Sequence, residues 1–158
     1  MHARRVEIRA GDLSDPKVLE LLREHLAGMH ASSPPGSVYA LDLSGLQQPS
    51  ISLFTVWDGD ELLGCGALKQ LDATSGELKS MRVTARHLGR GAGRFMLEHL
   101  LAVARERGYR RVSLETGSGD AFAAALGLYR RYGFVDGPAF GDYVASEFNQ
   151  FLHLALDA

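Results

Sequence analysis

The chain has 158 residues, 46% of them hydrophobic, which suits a single domain, residues 1–158, built around one core. A formal net charge of -2 gives no overall attraction to polyanions and argues against nucleic acid or an anionic membrane as partner. Cys65, the only cysteine, excludes an intramolecular disulfide and a multi-cysteine zinc site and fits a reducing compartment. The opening "MHARRVEIRAG" lacks the apolar stretch of a secretory signal, and no run reaches membrane-spanning length, so a soluble, cytoplasmic protein is expected.

"VEIRA" alternates apolar and polar residues and reads as a first strand. "SDPKVLELLREHLAG" reads as a helix capped by Ser14 or Asp15, with Pro16 in its first turn and Val18, Leu21, Leu22 and Leu26 on one face. The Pro-, Ser- and Gly-bearing stretch from Met29 to Ser50 reads as a long loop with one weak helical turn. Two β-rich runs then flank Asp58-Gly59-Asp60, a hairpin signal, and "GELKSMRV" supplies another strand.

From Gly89 to Gly93 three glycines occupy five positions and lead into a helix through about Arg107. Its apolar face is Met96, Leu97, Leu100, Leu101 and Ala104, and Gly108 closes it. "RRVSLET" is a further strand, "DAFAAALGLYRRYG" a helix, and "ASEFNQFLHLAL" a final strand. The helix between "GELKSMRV" and "RRVSLET" makes those strands a parallel crossover pair. The expected fold is α/β: a mixed, mostly antiparallel twisted sheet, helices on both faces, one central parallel β-α-β crossover.

Glycines this dense before a helix let a ligand approach the backbone closely. A P-loop and a dinucleotide fingerprint both fail, because Arg94 stands where each requires a second or third glycine. What remains is an anion site made by backbone N–H groups at the positive end of a helix, with Arg86, Arg90 and Arg94 around it. Tight helix–strand packing is the plainer alternative.

"VTARHLGRGAGRFML", with Gly91 and Gly93, and "AAALGLYRRYGF", with Tyr129, Gly133 and Phe134, together resemble the two signatures of the GNAT superfamily of acyl-CoA-dependent N-acyltransferases. The resemblance extends over the chain in element order. Leu88 departs from the family's usual Arg or Gln, and Ala85 from its usual proline. The resemblance implies acetyl-CoA as co-substrate. Its pyrophosphate would lie on the amides of Leu88, Gly89, Arg90, Gly91, Ala92, Gly93 and Arg94. Its pantetheine arm would pair with the backbone of Met81, Arg82 and Val83 in the manner of an added strand.

Acyl transfer to an amine requires a base for the ammonium, hydrogen-bond donors for the developing oxyanion, and a proton for the departing thiolate. The resemblance places Tyr129 beside the sulfur as the acid. A core aromatic is the alternative, and Tyr132 a weaker candidate. Glu77 ranks first as base, with Glu115, at the end of the neighbouring strand, as the other choice. A backbone N–H between Met81 and Val83 would face the oxyanion. Cys65 lies among small apolar residues with no histidine near it in sequence, which favours direct transfer in a ternary complex over a covalent relay. No histidine spacing matches a metal motif, so no metal is expected.

Acceptor specificity is expected in "HASSPPGSVYALDL" and "GPAFGDYVASEF", which carry Tyr39, Phe140, Tyr143 and Phe148 beside Asp42, Asp142 and Glu147. His25 and His30 flank the first of these. The expected function is an N-acetyltransferase acting on a primary amine of a small molecule, amino acid or peptide. The alternative is a CoA-binding sensor of the same fold without turnover. A homodimer is compatible with either.

Overall fold

The computed structural model describes residues 6–34, 43–84 and 91–156. The sites assigned to Leu88, Gly89 and Arg90, with Ala85, Arg86, Tyr39 and Asp42, lie outside them. The elements are β1 (Val6–Ala10), α1 (Pro16–Ser32), α2 (Leu43–Leu46), β2 (Ile51–Asp58), β3 (Glu61–Asp72), β4 (Ser75–Val83), α3 (Ala92–Glu106), β5 (Arg111–Thr116), α4 (Ala123–Arg131), β6 (Val135–Asp136) and β7 (Gln150–Ala155). They form one seven-stranded sheet in the order β1-β2-β3-β4-β5-β7-β6. Only β4 and β5 pair in parallel; the other neighbours are antiparallel.

Each face of the sheet carries its own apolar layer. Met96, Leu97, Leu100, Leu101 and Ala104 of α3, with Leu126 and Tyr129 of α4, bury against Leu63, Leu68, Leu78, Val112, Leu114 and Leu152. Val18, Leu21 and Leu22 of α1, with Leu46 of α2, cover Leu53, Trp57, Leu62, Cys65 and Ala67 on the other side. Period-2 alternation in the strands and period-3.6 stripes in the helices produce this division directly. The Asp15 carboxylate caps α1 by accepting from the Lys17 N–H at 2.9 Å.

Several sequence expectations need correction. Helix α1 continues past Gly28 to Ser32, and His25 rather than Leu26 completes its buried face. The last predicted helix opens as a 3₁₀ turn, Asp120–Phe122, before α4. The last strand begins only at Gln150: before it, the Ser146 hydroxyl accepts from the Asn149 N–H at 3.2 Å and holds a turn. The two-residue β6 is too short to show any alternation.

The sheet is irregular at its centre. Cys65 pairs with Arg82 and Ala67 with Lys79, so a two-residue step on β3 spans three residues on β4. The extra residue is a bulge, and Ser80 within it adopts φ +56°, a left-handed conformation that costs on the order of 1 kcal/mol outside glycine. The parallel pairing of β4 with β5 covers only Ser75–Glu77 opposite Arg111–Ser113. Beyond Glu77 the two strands separate, and β4 from Leu78 onward has no pairing partner on that side among the described residues.

Candidate active site

The separation of β4 from β5 opens a slot of about 150 Å³. Its walls include Glu77 to Arg82 of β4 and Leu114 to Thr116 of β5. Phe122, Ala125 and Tyr129 reach it from the α4 side, and His25 and Met29 from α1. The slot therefore connects the two faces of the sheet. A larger hollow of about 660 Å³ between α1 and the β2–β3 turn is lined mainly by carboxylates, with Lys17 the only cation among its lining residues. It contains no split between strands and none of the candidate catalytic groups.

Strand register decides which side chains share a face. Lys69, Ala67 and Cys65 are alternate residues of β3, and they pair with Glu77, Lys79 and Arg82. All three β4 side chains thus point toward α1. Without the bulge, Arg82 would alternate to the opposite face. Glu77 also pairs with Ser113, which sets Ser113 and then Glu115 on the same side.

Glu77 is buried, 2% exposed, and accepts a hydrogen bond from the Tyr143 hydroxyl. Lys79 Nζ lies 3.4 Å from Glu77 Oε2 and donates to the Tyr143 oxygen at 2.6 Å. Phe140 stacks edge-on against Tyr143 and Phe151 and holds the loop before β7 over this cluster. Glu115 is half-buried beside the cluster. Burial raises its pKa to about 7; Lys79 opposes the rise and Glu77 adds to it.

Tyr129, on α4, lines the slot, and its side chain makes no hydrogen bond among the described residues. Burial raises the phenol above its ordinary pKa, so it stays protonated and able to donate at neutral pH. Tyr132 instead donates to Glu98 Oε1 at 2.5 Å and ties α4 to α3, which accounts for it structurally. Cys65 faces α1, donates its S–H to the Ser80 carbonyl at 3.2 Å, and is pushed up to about 12 by burial. It holds no thiolate at neutral pH.

His25 is 7% exposed, and its Nδ1 has no hydrogen-bond partner among the described residues. Burial, assisted by the positive charge of Arg82, lowers its pKa to about 4. A histidine below its unfolded value of about 6.5 stabilises the fold fully above that pH and loses the contribution as pH falls toward the folded pKa. Glu115 acts in the opposite sense: its raised pKa contributes stability at low pH that is lost as pH climbs from the ordinary carboxylate range through about 7. Replacing His25 by Gln isolates the first effect. Between pH 7 and pH 5 the wild type should lose about 2 kcal/mol relative to His25→Gln in urea unfolding. Parallel pH dependences for the two proteins would contradict a buried neutral imidazole.

Gly91 is the N-cap of α3, with φ +81° and no side-chain cap. The first N–H groups of α3 thus have no intrahelical partner and point out along the helix axis. A Cβ added at Gly91 would meet none of the described residues within 4 Å.

The structure brings Glu77, Glu115, Tyr129, Met81 and Arg82 to one slot, with Val83 next in β4 and Gly91, Ala92, Gly93 and Arg94 at the start of the helix that follows it. Sequence reasoning did not find Lys79, Ser80 or Arg82 as side chains of the site. Tyr143 was expected in an acceptor-specificity segment and His25 beside the other one, neither as a partner of the catalytic groups. Among the described residues no group of three or more His, Cys, Asp or Glu side chains could hold a metal.

A sheet split at its parallel pair, with a phenol on one side, paired carboxylates on the other and helix amides following β4, is compatible with an acyltransferase. Residues 18–134 match the Acetyltransferase (GNAT) family, and the chain belongs to it. It is 46% identical over 138 residues to the uncharacterized N-acetyltransferase YsnE of Bacillus subtilis, covering 87% of this chain and 91% of that protein. It is 44% identical to the uncharacterized N-acetyltransferase YedL of Escherichia coli, covering 94% of each. A crystal structure of a putative acyl-CoA N-acyltransferase from Klebsiella pneumoniae superposes with a TM-score of 0.81 at 27% identity, covering 97% of this chain and 99% of that one. A Bacillus subtilis acetyltransferase in complex with CoA has the same fold, with a TM-score of 0.72 at 19% identity over 96% and 99% of the two chains.

Proposed function

We propose that the chain transfers an acetyl group from acetyl-CoA directly to the amine of a small acceptor. The slot between β4 and β5, reached by Tyr129 from one face and by Glu77 and Glu115 from the other, carries this reading. The site also suits the co-substrate. The unpaired edge of β4 at Met81, Arg82 and Val83 is available to an extended amide-bearing arm. The amides of Gly91 to Arg94 suit a pyrophosphate, and the family motif extends this reading to Leu88, Gly89 and Arg90. Acetyl-CoA supplies an activated acyl carbon and a thiolate leaving group.

The remaining chemistry falls to the chain's own residues. Glu115, titrating near pH 7, is matched to removing a proton from an ammonium at neutral pH. Glu77, placed first from sequence, is held by Tyr143 and Lys79; its charge attracts the ammonium and keeps the Glu115 carboxyl basic. The two carboxylates thus act as a pair, with Glu115 accepting the proton. Tyr129 delivers a proton on the opposite face, where the sulfur departs. A backbone N–H of the Met81–Val83 segment faces the oxyanion.

Thiol release from acetyl-CoA with a panel of amines tests the activity. Tyr129→Phe should lower kcat on the order of 100-fold with little change in acetyl-CoA affinity. Equal turnover by Tyr129→Phe and wild type would remove the tyrosine from the acid role.

A further inference from the structure

Three groups lining the slot have no role in the proton transfers above. Arg82 is half-buried, and its guanidinium has no ion-pair or hydrogen-bond partner among the described residues. It lies tight against α1: a Cβ at Gly28 would stand 2.9 Å from Arg82 Nη1, so the glycine makes room for it. Ser80 and His25, both over nine-tenths buried, line the same cavity, and the Ser80 hydroxyl and His25 Nδ1 have no hydrogen-bond partner among the described residues. Buried polar atoms are ordinarily satisfied, and a cation withdrawn from water without a counter-charge is costly. One cation and two neutral hydrogen-bonding groups left open together make an anion site.

We infer that the acceptor is an amine that also carries a carboxylate, an aminocarboxylate, whose carboxylate binds Arg82 with Ser80 and His25 while its amine faces Glu77 and Glu115. The inference rests on the acetyltransferase reading and specifies its second substrate. A guanidinium fork matches the two oxygens of one carboxylate. A phosphate would call for more positive charge than the site offers, since Lys79 is engaged with Glu77 and Tyr143. Nor does Arg82 serve the pyrophosphate, because its side chain faces α1, away from the α3 side of the sheet. The resulting site is bipolar, with carboxylates toward the slot and a guanidinium toward α1, as a zwitterion requires.

Matched acceptors test this without any variant. Each common amino acid is compared with its own carboxamide by thiol release from acetyl-CoA. Wild-type protein should favour at least one free acid over its amide by roughly 10- to 100-fold in kcat/KM. The amide's less basic amine biases the comparison against that result. Arg82→Gln should bring the ratio close to one while the acetyl-CoA KM is unchanged, and Arg82→Lys should restore part of it. The inference is overturned if wild type accepts amides as well as acids, or if Arg82→Gln lowers both members of a pair equally. Turnover of simple amines with no free acid accepted overturns it while leaving the acetyltransferase reading intact. No turnover with any amine overturns both.

Discussion

Glu115→Gln should lower kcat by about 10²- to 10⁴-fold, the usual contribution of a positioned general base. The pH profile is the sharper readout. A base acts when deprotonated, so the wild-type rate should rise with pH through about 7 and then level off. The glutamine variant should lack that limb. Glu77→Gln should keep the limb but move it to lower pH, because the negative neighbour that raises Glu115 is gone while Lys79 remains. An unshifted limb in Glu77→Gln, or a surviving limb near pH 7 in Glu115→Gln, would reassign the base.

Gly91→Val should abolish acetyl-CoA binding. The substitution acts twice at one position. Its backbone sits at φ +81°, where a β-branched residue is strained by at least about 1 kcal/mol, and its side chain would add bulk beside the α3 amides, where close approach of a phosphate needs none. The strain alone should lower the melting temperature by only a few degrees, on the order of 4–8 °C per kcal/mol in small domains and less in a chain of this size. A folded Gly91→Val protein that still bound acetyl-CoA with wild-type affinity would show that no pyrophosphate lies on these amides.

The fold was legible wherever its causes are local. Asp58-Gly59-Asp60 forms the β2–β3 turn, the Met96–Ala104 stripe is the buried face of α3, and the helix between β4 and β5 made them parallel neighbours. The site was legible only in part. Glu77, Glu115 and Tyr129 were singled out by strand ends and a family motif. The partners that distinguish them were not, because Tyr143 meets Lys79 across 64 residues and Glu77 across 66. The role of Arg82 was hidden for another reason. Its direction depends on a bulge at Ser80, and no glycine or proline in "ELKSMRV" signals one. His25 reads as one more polar residue near a helix end until the helix is seen to run on to Ser32 and bury it.

The central claim is that the split between β4 and β5 receives acetyl-CoA, and calorimetric titration of the protein with acetyl-CoA tests it most directly, with dephospho-CoA and ATP as controls. The account predicts saturable binding of one acetyl-CoA per chain, with Kd between roughly 1 µM and 1 mM, the range in which enzymes hold their substrates. Absence of binding by a demonstrably folded protein would contradict it, leaving the Gly91–Gly93 turn as a packing feature and the slot without its co-substrate.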